Sequence, residues 1–181
     1  MAANPCAEFF SREKPSVEDL PDREVSVQWE LLTASPQHSP GPVKDDEELR
    51  RRILQPTHVD AEDAPTPACF NDLWSHGLSV DRASYRALAQ SQADAVESVE
   101  SWNNENPDAP VRSLRGLAVV SVGDLRSLRV NNGRALAIFD TAMESNKSHA
   151  DVCAIGKMNK LERKDLRTSV WNFMRKGLGV I

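Results

Sequence analysis

LAVVSVGDLRSLRVNNGRALAIFDTAMESNKSHADVCAI, residues 117–155, is the stretch whose reading decides the fold. Residues 117–122, 135–139 and 150–155 are short apolar runs, too brief for core helices and rich enough in Val, Ile and Phe to read as buried strands. Gly123-Asp124 opens a helical turn reaching about Leu128. The tripeptide NNG at 131–133 is a turn signal, because Asn and Gly tolerate the left-handed backbone that tight turns need.

Downstream, residues 158–176 carry Leu166, Val170, Phe173 and Met174 as one stripe and Lys160, Lys164 and Arg167 on another face. That is the period of an amphipathic helix, which Gly177 would end. Upstream, the Ala-rich residues 81–102 read as a helix closed by Asn103, Asn104, Asn106 and Pro107. Residues 56–80 are irregular and rich in Pro and Asp, yet hold Cys69, Phe70, Leu73, Trp74 and Leu78. A long apolar loop inside a domain is packed or functional, so a site is expected there. Asp45 or Asp46 caps an expected short helix running to about Leu54, with Arg50, Arg51 and Arg52 near its end and Pro56 stopping it. SPQHSPGP at 35–42 can hold neither helix nor ladder.

Residues 25–32 alternate Val25, Val27, Trp29 and Leu31, the period of a half-buried strand. Residues 1–24 are polar and punctuated by proline. The order of elements predicts an α+β fold: one domain over residues 45–181, with helices packed on a small mixed sheet. Residues 1–44 are expected to form a flexible, acidic, proline-rich arm with a strand at 25–32.

With 181 residues, 40% apolar and 27% charged, the chain can build one core. No apolar run approaches the ~18 residues of a membrane-crossing helix. The opening MAANPCAEFFSREKP lacks the charged and apolar regions of a secretory leader. Cys6, Cys69 and Cys153 are too few and scattered for a disulfide framework, and the expected location is the cytoplasm. Charge is uneven: residues 1–110 carry 9 Lys/Arg against 21 Asp/Glu, residues 111–181 carry 13 against 6. A basic end raises the expectation of an anionic partner, although the two halves could equally pack together or be solvated.

Local catalytic signatures are missing. There is no phosphate loop, dinucleotide fingerprint, Gly-x-Ser-x-Gly, His-Glu-x-x-His or Cys-x-x-Cys. What remains is a sparse set: His58, Cys69, His76 and His149, with Asp151 and Cys153 near the last. On a strand, His149, Asp151 and Cys153 project from one face. His58, Cys69, His149 and Cys153 could make a zinc set, but they lack paired spacing and no metal or other cofactor is assigned. Cys69 could be a thiol nucleophile with a histidine base, or a core plug. Ser79 could belong to the site or cap the following helix.

HVDAEDAPTPACFNDLWSHGLSVDR (58–82), LAVVSVGDLRSL (117–128) and SHADVCAIG (148–156) together resemble a group of small bacterial proteins with no assigned activity. The shared order is a His after an Arg-rich segment, a Pro-Ser/Thr-x-x-Phe turn, Gly-Leu/Met-Ser-Val, an Ala-Val strand leading into a helix with Arg, and His-Ala-x-Val. The resemblance spans roughly residues 49–156. It implies a bacterial origin and one compact domain, and it places His58, Ser79 and His149 on shared elements. Where this chain has Cys69 the group often has Ala or Ser, which counts against a nucleophilic thiol. The helix at 81–102 and the basic C-terminal helix are less like the pattern.

Three functional classes follow. The leading expectation is a non-catalytic binding module, taking a protein partner or small ligand through Phe70, Trp74 and Leu78 of the 67–80 loop, because aromatic clusters anchor interfaces. Its rival is a hydrolase or transferase using His58 and His149 as acid and base, with Ser79 and Cys69 as further catalytic candidates. The third is an anion or nucleic-acid binder acting through residues 157–176, above all Lys160, Lys164 and Arg167. No membrane partner is expected, and a second copy of the chain is a further candidate partner.

Overall fold

The computed structural model describes residues 4–174 and 179–180. Six strands form one sheet in the order β6–β7–β2–β1–β3–β8. They are β1 (Glu48–Gln55), β2 (Leu78–Arg82), β3 (Ser113–Ser121), β6 (Leu136–Asp140), β7 (His149–Ala154) and β8 (Gly179–Val180). Every strand pair is antiparallel, so the sheet is not mixed as expected; an isolated bridge of Thr33 to Asp140 is its one parallel contact among the described residues. A separate ribbon, β4 (Arg129–Val130) with β5 (Gly133–Arg134), turns through Asn131 and Asn132 at φ 51° and 61°. That is the left-handed pair a tight hairpin requires.

One face of the sheet carries Leu49, Ile53, Leu78, Val80, Ala118, Val120, Ala150 and Val152 into the main core. Against it pack a 3₁₀ segment (Pro67–Trp74), α4 (Val122–Ser127) and α5 (Lys160–Met174), through Phe70, Leu73, Leu125, Leu166, Val170 and Met174. The opposite face has two covers. At β6 and β7 the N-terminal segment, with α1 (Pro5–Phe10) and α2 (Arg23–Trp29), buries Cys6 and Val17 against Ala137, Phe139, Cys153 and Ile155. At β3 lies α3 (Leu88–Glu105), burying Ser91, Ala95 and Val99. Between these covers the middle of the sheet is open, and Ser79 is exposed there.

The N-terminal residues are therefore no loose arm. Asn4 caps α1 by accepting the Ala7 N–H at 3.1 Å with Pro5 following it, a start signal that holds without neighbours. Residues 25–32 are not a strand: Asp22 accepts the Val25 N–H at 3.1 Å and starts α2 instead. Glu30, 2% exposed, then pins the end of α2 to the sheet by accepting the Ile138 N–H at 2.5 Å and by pairing with Arg126 and Arg134.

Residues 45–54 are a further correction, being mostly strand β1 rather than helix. Leu49 and Ile53 are four apart, a spacing that both a helix face and a strand face satisfy. The strand prevails because β3 offers a partner along its whole length, from Glu48 opposite Ser121 to Gln55 opposite Ser113. Asp81 and Arg82 end β2 rather than open a helix, and α3 starts at Leu88. The helix expected to reach residue 176 is described to Met174; Arg175, Lys176 and Gly177 lie outside the described residues. No helix among the described residues is long and apolar enough to cross a membrane.

Candidate active site

β1 and β2 pair at only two positions, Leu49 with Arg82 and Arg50 with Asp81, and then diverge. Divergence leaves the inner edge of β2 without a ladder partner, and a buried carbonyl needs a donor. Arg51 supplies it. One guanidinium nitrogen donates to the Ser79 carbonyl at 3.0 Å and another to Asp72 Oδ2 at 2.9 Å. The opening is a cavity of about 170 Å³ between the strands, lined by Arg50, Arg51, Arg52, His58, Ser79, Asp81 and His149 among others.

β2 and β7 remain paired beside it, Ser79 opposite Asp151 and Asp81 opposite His149. Ser79 and His149 are thus diagonal neighbours on one face, within reach of each other. Ser79 Oγ lies 2.6 Å from His149 Nε2. The other ring nitrogen, Nδ1, lies 2.8 Å from Thr141 Oγ1 and 3.2 Å from the Thr141 carbonyl oxygen. Thr141 donates its hydroxyl to Asp151 Oδ2 at 2.8 Å. Both oxygens facing Nδ1 are therefore acceptors, since a carbonyl cannot donate and the hydroxyl proton is committed to Asp151. It follows that Nδ1 carries the ring proton and Nε2 holds a lone pair toward Ser79. Asp151 Oδ2 is itself 3.9 Å from Nδ1.

Backbone geometry brings these strands close. Gly77 enters β2 at φ 89°, and a Cβ there would come 3.0 Å from Cys153 Sγ and 3.2 Å from Asp151 Cβ. A side chain at that position would push β2 away from β7.

The structure brings Ser79, His149 and His58 to one cavity, but only the first two touch. His58 is 7% exposed, and its Nδ1 accepts the Leu54 N–H at 3.1 Å. Burial pushes its ring down to about 4, with the nearby Arg51 charge acting the same way, so the ring is neutral and holds the turn after β1. Cys69 is fully buried, its thiol donates to the Thr66 carbonyl at 3.0 Å, and burial pushes it up to about 12. A nucleophilic thiol there is excluded by its environment. Cys153 packs in the N-terminal cluster with Cys6, all three cysteines are free, and the four residues weighed for zinc do not converge. Among the described residues no group of three or more His, Cys, Asp or Glu could hold a metal ion.

Phe70 and Leu78 are core residues with no exposure, so they cannot anchor a partner. Trp74 alone of the three expected anchors reaches the surface. It lines a groove of about 530 Å³ with Lys160, Lys164 and Arg167 of α5.

Sequence reasoning missed Thr141, set Asp151 beside His149 and Cys153 on one strand face as a polar row for a metal or an acid–base pair without linking it to Ser79, and placed the three arginines on a helix. Asp151 had a usable signal, its place two residues after His149 on an expected strand. Thr141 had none, because its position depends on how the chain returns from β6 to β7.

Comparisons with protein-family models, with curated proteins and with solved structures find no match to the chain.

Proposed function

We propose that the cleft is the active site of a hydrolase or transferase in which Ser79 is the nucleophile and His149 its base. One observation supports the reading: the hydrogen-bond chain from Ser79 through His149 and Thr141 to Asp151, with the imidazole lone pair facing the hydroxyl. A serine hydroxyl is a weak nucleophile until a positioned base can take its proton. Ser79 Oγ would attack an acyl carbon or phosphorus as its proton passes to Nε2. That proton would then go to the leaving group. Water or an acceptor hydroxyl, deprotonated by the same nitrogen, would release the group from Ser79. Asp151, acting through Thr141, would fix the tautomer and stabilise the imidazolium formed once the Ser79 proton has moved, as the third member of a triad does. His58, committed to the backbone, takes no part.

The test is turnover of p-nitrophenyl acetate and p-nitrophenyl phosphate by the full chain, by Ser79→Ala and by His149→Ala. Loss of turnover of either substrate in both variants supports the reading, and equal rates in all three proteins contradict it.

A second reading concerns the α5 groove, where Lys160, Lys164 and Arg167 flank Trp74, cations beside an aromatic ring. Such a surface fits single-stranded nucleic acid. Reversing the three charges would abolish a salt-dependent association with an oligonucleotide; an association insensitive to salt would refute the reading.

A further inference from the structure

Arg51 is only 9% exposed, lines the cavity between β1 and β2, and has a buried Nε with no hydrogen-bond partner. A buried guanidinium N–H left unpaired is unfavourable by more than a surface one, and it leaves Arg51 with donor capacity that neither the Ser79 carbonyl nor Asp72 uses. Its neighbours on β1 extend the same chemistry. Arg52 lines the cavity and has no carboxylate within 4.0 Å among the described residues. Arg50 has none either, donating instead to the Arg86 carbonyl at 2.6 Å.

Three arginines line the cavity against a single aspartate, Asp81. Asp72 pairs with Arg51, and Asp81 Oδ1 accepts from Asn146 at 2.8 Å and Ser148 at 3.4 Å. The cavity thus presents surplus positive charge beside the Ser79 hydroxyl.

We infer that the cleft binds a phosphate group, free or as a monoester, in the space between Arg51, Arg52 and Ser79. Arginine suits this ligand because its planar donors match phosphate oxygens. A volume of about 170 Å³ takes the phosphate and leaves the rest of a substrate in the open strip between the N-terminal segment and α3. The inference deepens the reading of the cleft as an active site, and its test reads binding alone.

The experiment is calorimetric titration of the full chain with inorganic phosphate against sodium chloride of matched ionic strength, with acetate as a second anion. Phosphate should bind saturably, Arg52→Gln should weaken it by about ten-fold or more, and Lys164→Gln on α5 should leave it unchanged. Arg51→Lys keeps a charge for Asp72 but removes Nε, and it should weaken phosphate while the circular dichroism spectrum is preserved. No binding beyond chloride overturns the inference. So does affinity lost in Lys164→Gln but kept in Arg52→Gln, and equal affinity for acetate overturns the assignment to phosphate. A bound phosphate with no turnover would leave this inference standing and remove the catalytic one.

Discussion

Ser79 of β2 and His149 of β7 meet diagonally across two paired antiparallel strands, with Oγ 2.6 Å from Nε2. Neither residue belongs to a catalytic loop. Their spacing is a property of the ladder, so the pair is as rigid as the sheet that carries it. Only the supports of the imidazole come from outside the pair, from Thr141 beyond β6 and Asp151 further along β7.

The first prediction follows from exposure. Ser79 is exposed and His149 partly so. Ser79→Ala should change unfolding free energy by no more than about 0.5 kcal/mol. Turnover should fall by roughly 10²–10⁴-fold in His149→Ala, the usual contribution of a positioned base. Urea denaturation and rate measurements on the same preparations separate the two effects.

The ring proton of His149 is a second target. Two acceptors around Nδ1 require the Nδ1–H tautomer. Nitrogen-15 shifts of labelled, neutral His149 should show a protonated Nδ1 and an unprotonated Nε2. Thr141→Val should blur that preference and slow turnover by about ten-fold. An Nε2–H tautomer in the unmodified chain would mean that Ser79 is not the donor.

The fold was legible where one strong local signal had no competitor. The apolar runs that became β3, β6 and β7, the Asn131-Asn132 turn and the stripe of α5 are such cases. Residues 48–55 and 23–29 went the other way because Leu49/Ile53 fit either period and Val25/Val27/Trp29 fit a strand, while the deciding contacts lie elsewhere. For β1 that is the β3 ladder, for α2 the Asp22 cap and the Glu30 anchor. The candidate site was half legible. Ser79 and His149 could be named one by one, but their contact depends on the β2–β7 register, and Thr141 and Arg51 join through tertiary placement alone.

His58 gives a pH prediction. Burial holds its ring at about 4 against an ordinary 6.5. Between those values the unfolded chain binds a proton that the folded chain does not, so stability rises with pH. Its contribution is complete above about pH 6.5 and falls away toward pH 4, by roughly 3 kcal/mol in all. His58→Asn keeps an acceptor for the Leu54 N–H and removes the titration. Its urea midpoints from pH 4 to 7 should lack that part of the slope, and an unchanged slope would assign it to another group.

Arg82 is fully buried between Glu47, at 2.6 and 2.7 Å, and Asp140, at 3.7 Å, and it also donates to the Gly41 carbonyl at 2.7 Å. Arg82→Leu leaves two buried carboxylates without their cation. Destabilisation by about 3–5 kcal/mol is expected in chemical denaturation. A neutral result would show that the long 35–47 connection is not held by this residue.

The packed N-terminus makes its own claim. Phe9 is 2% exposed, with its ring 5.0 Å from Phe10 and 6.2 Å from Trp29. Phe9→Ala should destabilise the whole domain by about 3 kcal/mol in one cooperative transition. A loose arm would give no change.

The most direct measurement is labelling of the full chain with a fluorophosphonate probe, read by intact mass and peptide mapping. An activated Ser79 should take up one phosphonyl group at that residue, and labelling should vanish in both Ser79→Ala and His149→Ala. Labelling that is absent, spread over other serines, or unchanged in His149→Ala would contradict the assignment of Ser79 and His149 as nucleophile and base.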